Sequence, residues 1–219
     1  MSARELARRT TVDALAEALR ARILGGELEP GTPLREEALA REYDVARHSL
    51  RSALRALEAE GVVRIEPHRG ARVTALSADD VRGLSALRTA LEVEGARLAL
   101  AAGGGRLPAS VREAAERLAS LCRRPRPSWG AVAEAHERFH HQIVVAAGSP
   151  RLAAVHRQTG AELRLFVLQL PRAWTLEKLA SDHLRLVDDL EREGAEALRP
   201  HIAESTDVLI EQAGAVERG

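Results

Sequence analysis

The chain has 219 residues, 45% of them hydrophobic, and its 32 lysines and arginines are balanced by 32 aspartates and glutamates. That composition belongs to a globular protein of one or two domains and excludes a disordered, collagenous or disulfide-stapled chain, since Cys122 is the single cysteine. The charged N-terminus has no apolar signal core and no long apolar run follows, so a cytoplasmic protein without a membrane partner is expected, and zero net charge confines any nucleic-acid contact to a local basic stripe.

In chain order, Val12, Leu15, Leu19 and Ile23 recur at spacings of three and four, which predicts a helix from Thr11 to about Leu24, ended by Gly25 and Gly26. Glu27 to Leu34 contains Pro30-Gly31 and Pro33 and reads as a turn or extended link. Glu36 to Tyr43 predicts a short second helix, Asp44-Val45-Ala46 a break, and Arg47 to Gly61 a third helix. Two short helices joined this tightly form a helix-turn-helix. In the third helix Leu50, Ala53, Leu54 and Leu57 mark one face, while Arg47, Arg51 and Arg55 step by four along another. The period then changes to two, at Val62 to Ile65 and Ala71 to Thr74, around a Pro67-His68-Arg69-Gly70 tip, which predicts a small hairpin. Ser77 to Asp80 is a helix-cap cluster followed only by helical periodicity, so residues 1–76 and 77–219 are expected to be separate domains. Breaks at Gly103–Gly105, Pro125–Gly130, Gly148-Ser149-Pro150, Leu170-Pro171 and Gly194 with Pro200 divide the second domain into about six helices.

A stripe of arginines on a helix is commonly just a solvated face. Here a turn precedes it and a wing follows, and arginine's fork fits the paired acceptors of guanine in a major groove that admits one helix. The run Ile23 to Gly31, with Leu34, Glu36, Leu39-Ala40, Val45-Ala46-Arg47, Leu50 to Leu54, Leu57, Glu60-Gly61 and Gly70, resembles the winged-helix domain of the GntR family of bacterial transcription regulators over about residues 11–75. The resemblance implies operator contacts from Arg35 before the second helix, from Arg47 and Arg51 on the third, and from Gly70 in the wing. His48 and Ser49 beside Arg47, and Arg69 at the wing tip, are expected to join them, with Arg55 and His68 left open as phosphate contacts. Ala46 stands where the family most often has serine, which removes a helix cap or phosphate contact, and Ser52 where it has glutamate.

His136 and His140 lie four apart, so both imidazoles project from one helix face. Read literally, residues 136–140 form an HExxH string, in which two histidines hold zinc and Glu137 is the base of a metallopeptidase, with His183 or His201 as third ligand. A five-residue string with two free positions also arises by chance. Leu87 to Glu92, Phe139-His140, Ala146 to Ser149 and Asp182-His183-Leu184 instead make the second domain resemble the FCD ligand-binding domain of the FadR-type branch of GntR regulators, over about residues 78–214. That resemblance implies an antiparallel six-helix bundle, an aspartate and three histidines around a divalent metal, and an arginine that holds a carboxylate effector. Carried over, His136 replaces the aspartate, His140 and His183 are ligands, and Arg88 is the effector contact; the fourth family position falls on Ser205, with His201 one turn earlier. Imidazole in place of a carboxylate shifts preference toward zinc, nickel or copper. The alternative is that these histidines line a polar pocket and hydrogen-bond an effector directly. Arg164 is a second candidate effector contact, and His141 and His156 are expected at the surface or in packing.

The expected fold is therefore mainly α: an N-terminal winged helix-turn-helix of three helices and a small β-hairpin, then a C-terminal six-helix bundle. The expected function is a transcription regulator, a repressor as is common among relatives, that binds double-stranded operator DNA as a homodimer and answers to a small carboxylate. No catalytic residue and no organic cofactor are expected. A DNA-binding dimer with a degenerate second domain and the HExxH peptidase are the alternatives.

Overall fold

The computed structural model describes the backbone of residues 3–170 and 174–216 and the side chains of residues 11–170 and 174–211. Pro171, part of one expected break, lies outside the described residues. The chain divides into two compact units, Met1–Ala75 and Leu76–Gly219.

In the first unit α1 (Ala3–Leu24) begins earlier than the apolar spacing predicts, and Leu15, Leu19 and Ile23 are buried along it. Short α2 (Glu36–Glu42) is joined to α3 (Arg47–Ala59) through Asp44, whose backbone adopts φ 49°. Leu50, Leu54 and Leu57 of α3 are at most 1% exposed and close the core against α1. The hairpin consists of β2 (Val63–Glu66) and β3 (Gly70–Val73), antiparallel with Glu66 opposite Gly70. The link read as a turn holds a third strand, β1 (Pro33–Leu34), paired antiparallel to β3 in the order β1-β3-β2. Two residues are too few to show an alternating pattern, which is why the sequence conceals this strand.

The second unit is helical: α4 (Ala78–Ala102), α5 (Ala109–Cys122), α6 (Trp129–Val145), α7 (Pro150–Gln158), α8 (Gly160–Leu168), α9 (Leu176–Glu193) and α10 (Leu198–Val216), with a 3-10 turn at Ala195–Ala197. Ser77 and Asp80 start α4 with reciprocal side-chain to backbone hydrogen bonds, so the expected cap cluster is in place. Residues 150–168, one helix of the expected six, are two here. The Thr159 hydroxyl donates to the His156 carbonyl (2.7 Å) and breaks the helical run. Phe139, Ile143, Val111, Leu190 and Leu198 are fully buried at the centre of one core cluster. Gly95 permits a close crossing of α4 and α6, because a β-carbon there would stand 3.0 Å from the Val144 backbone. That crossing sets Glu92 of α4 beside His140 of α6.

Candidate DNA-binding face and candidate metal centre

The amphipathic division of α3 leaves Arg47, His48, Arg51, Ser52 and Arg55 exposed opposite its buried leucines. Arg47 and Arg51 keep side-chain exposures of 67% and 66% although each is ion-paired to α2, Arg47 with Glu37 (2.9 Å) and Arg51 through Nε with Glu36 (2.7 Å). Arg35 is exposed at the residue that precedes α2. Ala46 caps α3 without a side-chain hydrogen bond, as its methyl group dictates, and the Ser52 hydroxyl donates to the His48 carbonyl (2.9 Å). In the wing Arg69 is exposed 3.7 Å from Glu66, while Gly70 has φ +77°, a conformation that a side chain would strain.

Ser49 corrects one expectation. It is 7% exposed, because it lies four residues before buried Ala53 and shares that inner face rather than the exposed face of Arg47 and Arg51. The acidic partners Glu36 and Glu37 were not anticipated, since the α2–α3 crossing that brings them to the arginines is tertiary.

In the second unit His136 and His140 of α6 meet His183 of α9, and their candidate ligand nitrogens all lie within 4.8 Å of one another in buried surroundings. His201 of α10 stands beside this trio, its ring 4.7 Å from that of His183 and 5.5 Å from that of His140, without joining the close set. Ser205 is buried, and its hydroxyl donates to the Ile202 carbonyl (3.0 Å).

The hydrogen bonds fix where the lone pairs point. Burial raises the carboxyl pKa of Glu92, but the Arg88 charge and the hydrogen bonds from His140 and His156 outweigh it and hold Glu92 ionised, well below the usual carboxylate range. An ionised carboxylate only accepts, so His140 Nδ1 donates to Glu92 Oε2 (2.8 Å) and His140 Nε2 carries a lone pair. His183 Nδ1 donates to the Leu179 carbonyl (2.7 Å), which leaves a lone pair on its Nε2 also. Burial pushes the His183 pKa down to about 3, and burial with neighbouring histidine and arginine charge holds His136 well below its ordinary value. The two Nε2 atoms thus face each other at 3.3 Å with no proton to share, and buried His136 Nδ1 has no hydrogen-bond partner.

Such a set of nitrogen donors suits a cation. An ion bonded at ~2.05 Å to two imidazoles in a tetrahedral set separates their nitrogens by about 3.3 Å. Glu92 and the Leu179 carbonyl orient the two rings as outer partners of metal-bound histidines commonly do. The residues present fit a divalent metal with nitrogen preference.

The expected effector contacts divide. Arg88 is 1% exposed, donates through Nε to Glu92 (2.8 Å), and depresses the pKa values of His136, His183 and His201, so it belongs to this centre but already has a counter-charge. For half-buried Arg164, burial lowers the pKa and the charges felt next are those of Glu134, Glu137 and Arg138 rather than the histidines. Glu137 packs beside Gly160, where a β-carbon would stand 3.1 Å from its Oε1, and burial raises its pKa. Of the two places expected for His156, surface or packing, the structure shows packing: it is fully buried, its Nε2 donates to Glu92 Oε1 (3.2 Å), and its Nδ1 lies 3.2 Å from that of His141. Glu92 follows Arg88 by four on α4, a pairing the sequence does display, whereas its contacts with His140 and His156 cross helices and have no spacing signal.

Residues 11–73 match the family described as "Bacterial regulatory proteins, gntR family", and residues 83–206 match the FCD domain. The chain is 32% identical over 211 residues to the "Uncharacterized HTH-type transcriptional regulator BphR" of Paraburkholderia xenovorans (strain LB400), a match covering 92% of this chain and 86% of that protein. It is 28% identical to the "Probable D-xylose utilization operon transcriptional repressor" of Paenarthrobacter nicotinovorans, over 92% of this chain and 90% of that one. The crystal structure of a GntR transcriptional regulator from Rhodococcus sp. RHA1 superposes with a TM-score of 0.71 at 20% identity, covering 92% and 98% of the two chains, which shows a shared fold.

Proposed function

The chain belongs to the GntR family of transcription regulators with an FCD domain, and from that premise we propose that it represses its target genes until an anionic effector reaches the histidine centre. DNA binding is the property of the family; the residues proposed to deliver it are Arg35, Arg47, His48 and Arg51 with Arg69 and Gly70 of the wing. The repressor sign takes support from a relative named as a repressor. Two copies on a two-fold operator follow from helix-turn-helix geometry, in which half-site spacing matches protein symmetry.

The observation that supports the sensor is the trio of buried imidazoles with facing, unprotonated nitrogens. His136, His140 and His183 would hold the metal, with His201 adjacent. An all-imidazole set favours zinc, nickel or copper over harder ions. When bound, the metal supplies a positive charge and an open ligand position. Arg88 and Glu92 cancel each other and the histidines stay neutral, so that charge calls for an anion, and a small carboxylate fits both the sign and the oxygen chemistry. Glu92 keeps His140 in the ligating tautomer and Leu179 does so for His183. An effector that binds DNA-competent and DNA-incompetent states unequally then shifts operator occupancy.

Elemental analysis of purified protein, followed by a thermal-shift screen of metals with small carboxylates on wild type and His140→Ala, tests this reading. Stoichiometric metal and a carboxylate response lost in His140→Ala are expected. No metal, with the response intact in His140→Ala, would overturn the metal centre; no response to any carboxylate would leave the second unit as a dimerisation domain alone.

A further inference from the structure

We propose that Glu36 determines sequence specificity: it grips the Arg51 guanidinium by one edge and thereby fixes the angle at which the other edge meets a guanine. The inference rests on α3 being the helix that enters the major groove. Arg51 Nε donates to Glu36 Oε2 (2.7 Å) while the arginine side chain stays 66% exposed, so the acid restrains the group without covering it. A planar guanidinium offers a side edge through Nε and one Nη, and an end edge through both Nη groups. With Nε engaged, the outer pair is the edge left to match the O6 and N7 acceptors of guanine.

Glu36 is well placed to act as a brace. It occupies the first turn of α2, where the helix dipole favours a carboxylate, and its own side chain is 27% exposed. The next residue, Glu37, pairs with Arg47, one turn earlier on α3, so two adjacent acids of α2 hold two arginines that are neighbours on the recognition face. Side-chain freedom lost to these pairs is lost before DNA arrives, which lowers the ordering cost of a bidentate base contact.

The brace has a general cost. A carboxylate on a DNA-facing surface repels phosphates, and an arginine tied to it cannot swing out to a backbone oxygen. Glu36 therefore weakens binding to every duplex and returns that loss only where a guanine meets the restrained fork, which is how specificity is built from an unfavourable element.

The test uses the full chain and a duplex selected by the wild-type protein from a random pool, together with variants in which each G·C pair is replaced by A·T. Glu36→Gln should bind unselected duplex more tightly, lose about tenfold of its preference for the selected duplex at one guanine, and steepen the log-log salt dependence by about one unit as Arg51 turns to phosphate. In an Arg51→Lys background, which has no Nε edge to grip, Glu36→Gln should leave the preference at that guanine unchanged. Full preference retained in Glu36→Gln, or an equal loss in both backgrounds, would overturn the proposal. Should Glu36→Gln not fold, Arg51→Lys alone must lose the same preference at the same guanine, and its failure to do so is equally decisive. A wild-type protein that selects no sequence would instead remove the DNA-reading premise itself.

Discussion

Arg51 and Glu92 carry opposite charges in opposite surroundings, and that contrast sets what each replacement costs. Arg51 is 66% exposed and its pair with Glu36 lies at the surface, so on the proposed DNA-binding role Arg51→Ala should lower operator affinity by about 1–3 kcal/mol with the unfolding transition unmoved, read by anisotropy and circular dichroism. A large loss of stability would mean that the side chain has a structural role. Glu92 is fully buried between Arg88, His140 and His156. Glu92→Gln removes the counter-charge of a buried arginine and replaces the charged acceptor of the His140 Nδ1 proton by a neutral amide, which weakens the preference for the tautomer that keeps Nε2 free. Metal affinity should drop about 10- to 100-fold, measured by competition with a chromophoric chelator, and stability should fall by about 3–5 kcal/mol. Unchanged metal affinity in Glu92→Gln would show that His140 is not oriented by this carboxylate.

At the scale of elements, α3 is the piece whose two faces do different jobs, and both were legible because period 3.6 separates leucines from arginines within one short segment. Leu54→Ala, at 1% exposure against α1, should cost about 2–5 kcal/mol in the unfolding of the first unit, seen by denaturant titration; a cost below 1 kcal/mol would place the core elsewhere. The helix-turn-helix, the hairpin and the cap at Ser77 were equally readable, since each rests on neighbours in sequence. What escaped was set by contacts across elements. Strand β1 is only two residues and exists because β3 is there to pair with it. Ser49, two residues after Arg47, is buried, which its distance of four from buried Ala53 was enough to signal. Of the histidines, His136 and His140 announced themselves by spacing, whereas His156 is a lone histidine whose partner Glu92 lies 64 positions away.

For the whole molecule, a metal held by the proposed site on α6 and α9 would tie together helices that are distant in sequence, and any ligand that binds only the folded state adds to its stability. At a free metal concentration about a hundred times its dissociation constant, that gain is about 2.7 kcal/mol, which for a chain of this size corresponds to a Tm increase of about 5 to 10 °C over chelator-treated protein. His140→Ala should abolish the increase; a variant that keeps it would relocate the ion. The described helices include none long and apolar enough to cross a membrane. The most direct single measurement is the affinity of the intact chain for a duplex that it has itself selected, compared with a scrambled duplex, across a salt series. Expected is a preference of roughly 1,000-fold or more, with affinity falling linearly in log salt as several phosphate contacts are lost. Equal binding to both duplexes at every salt concentration would contradict a sequence-reading regulator.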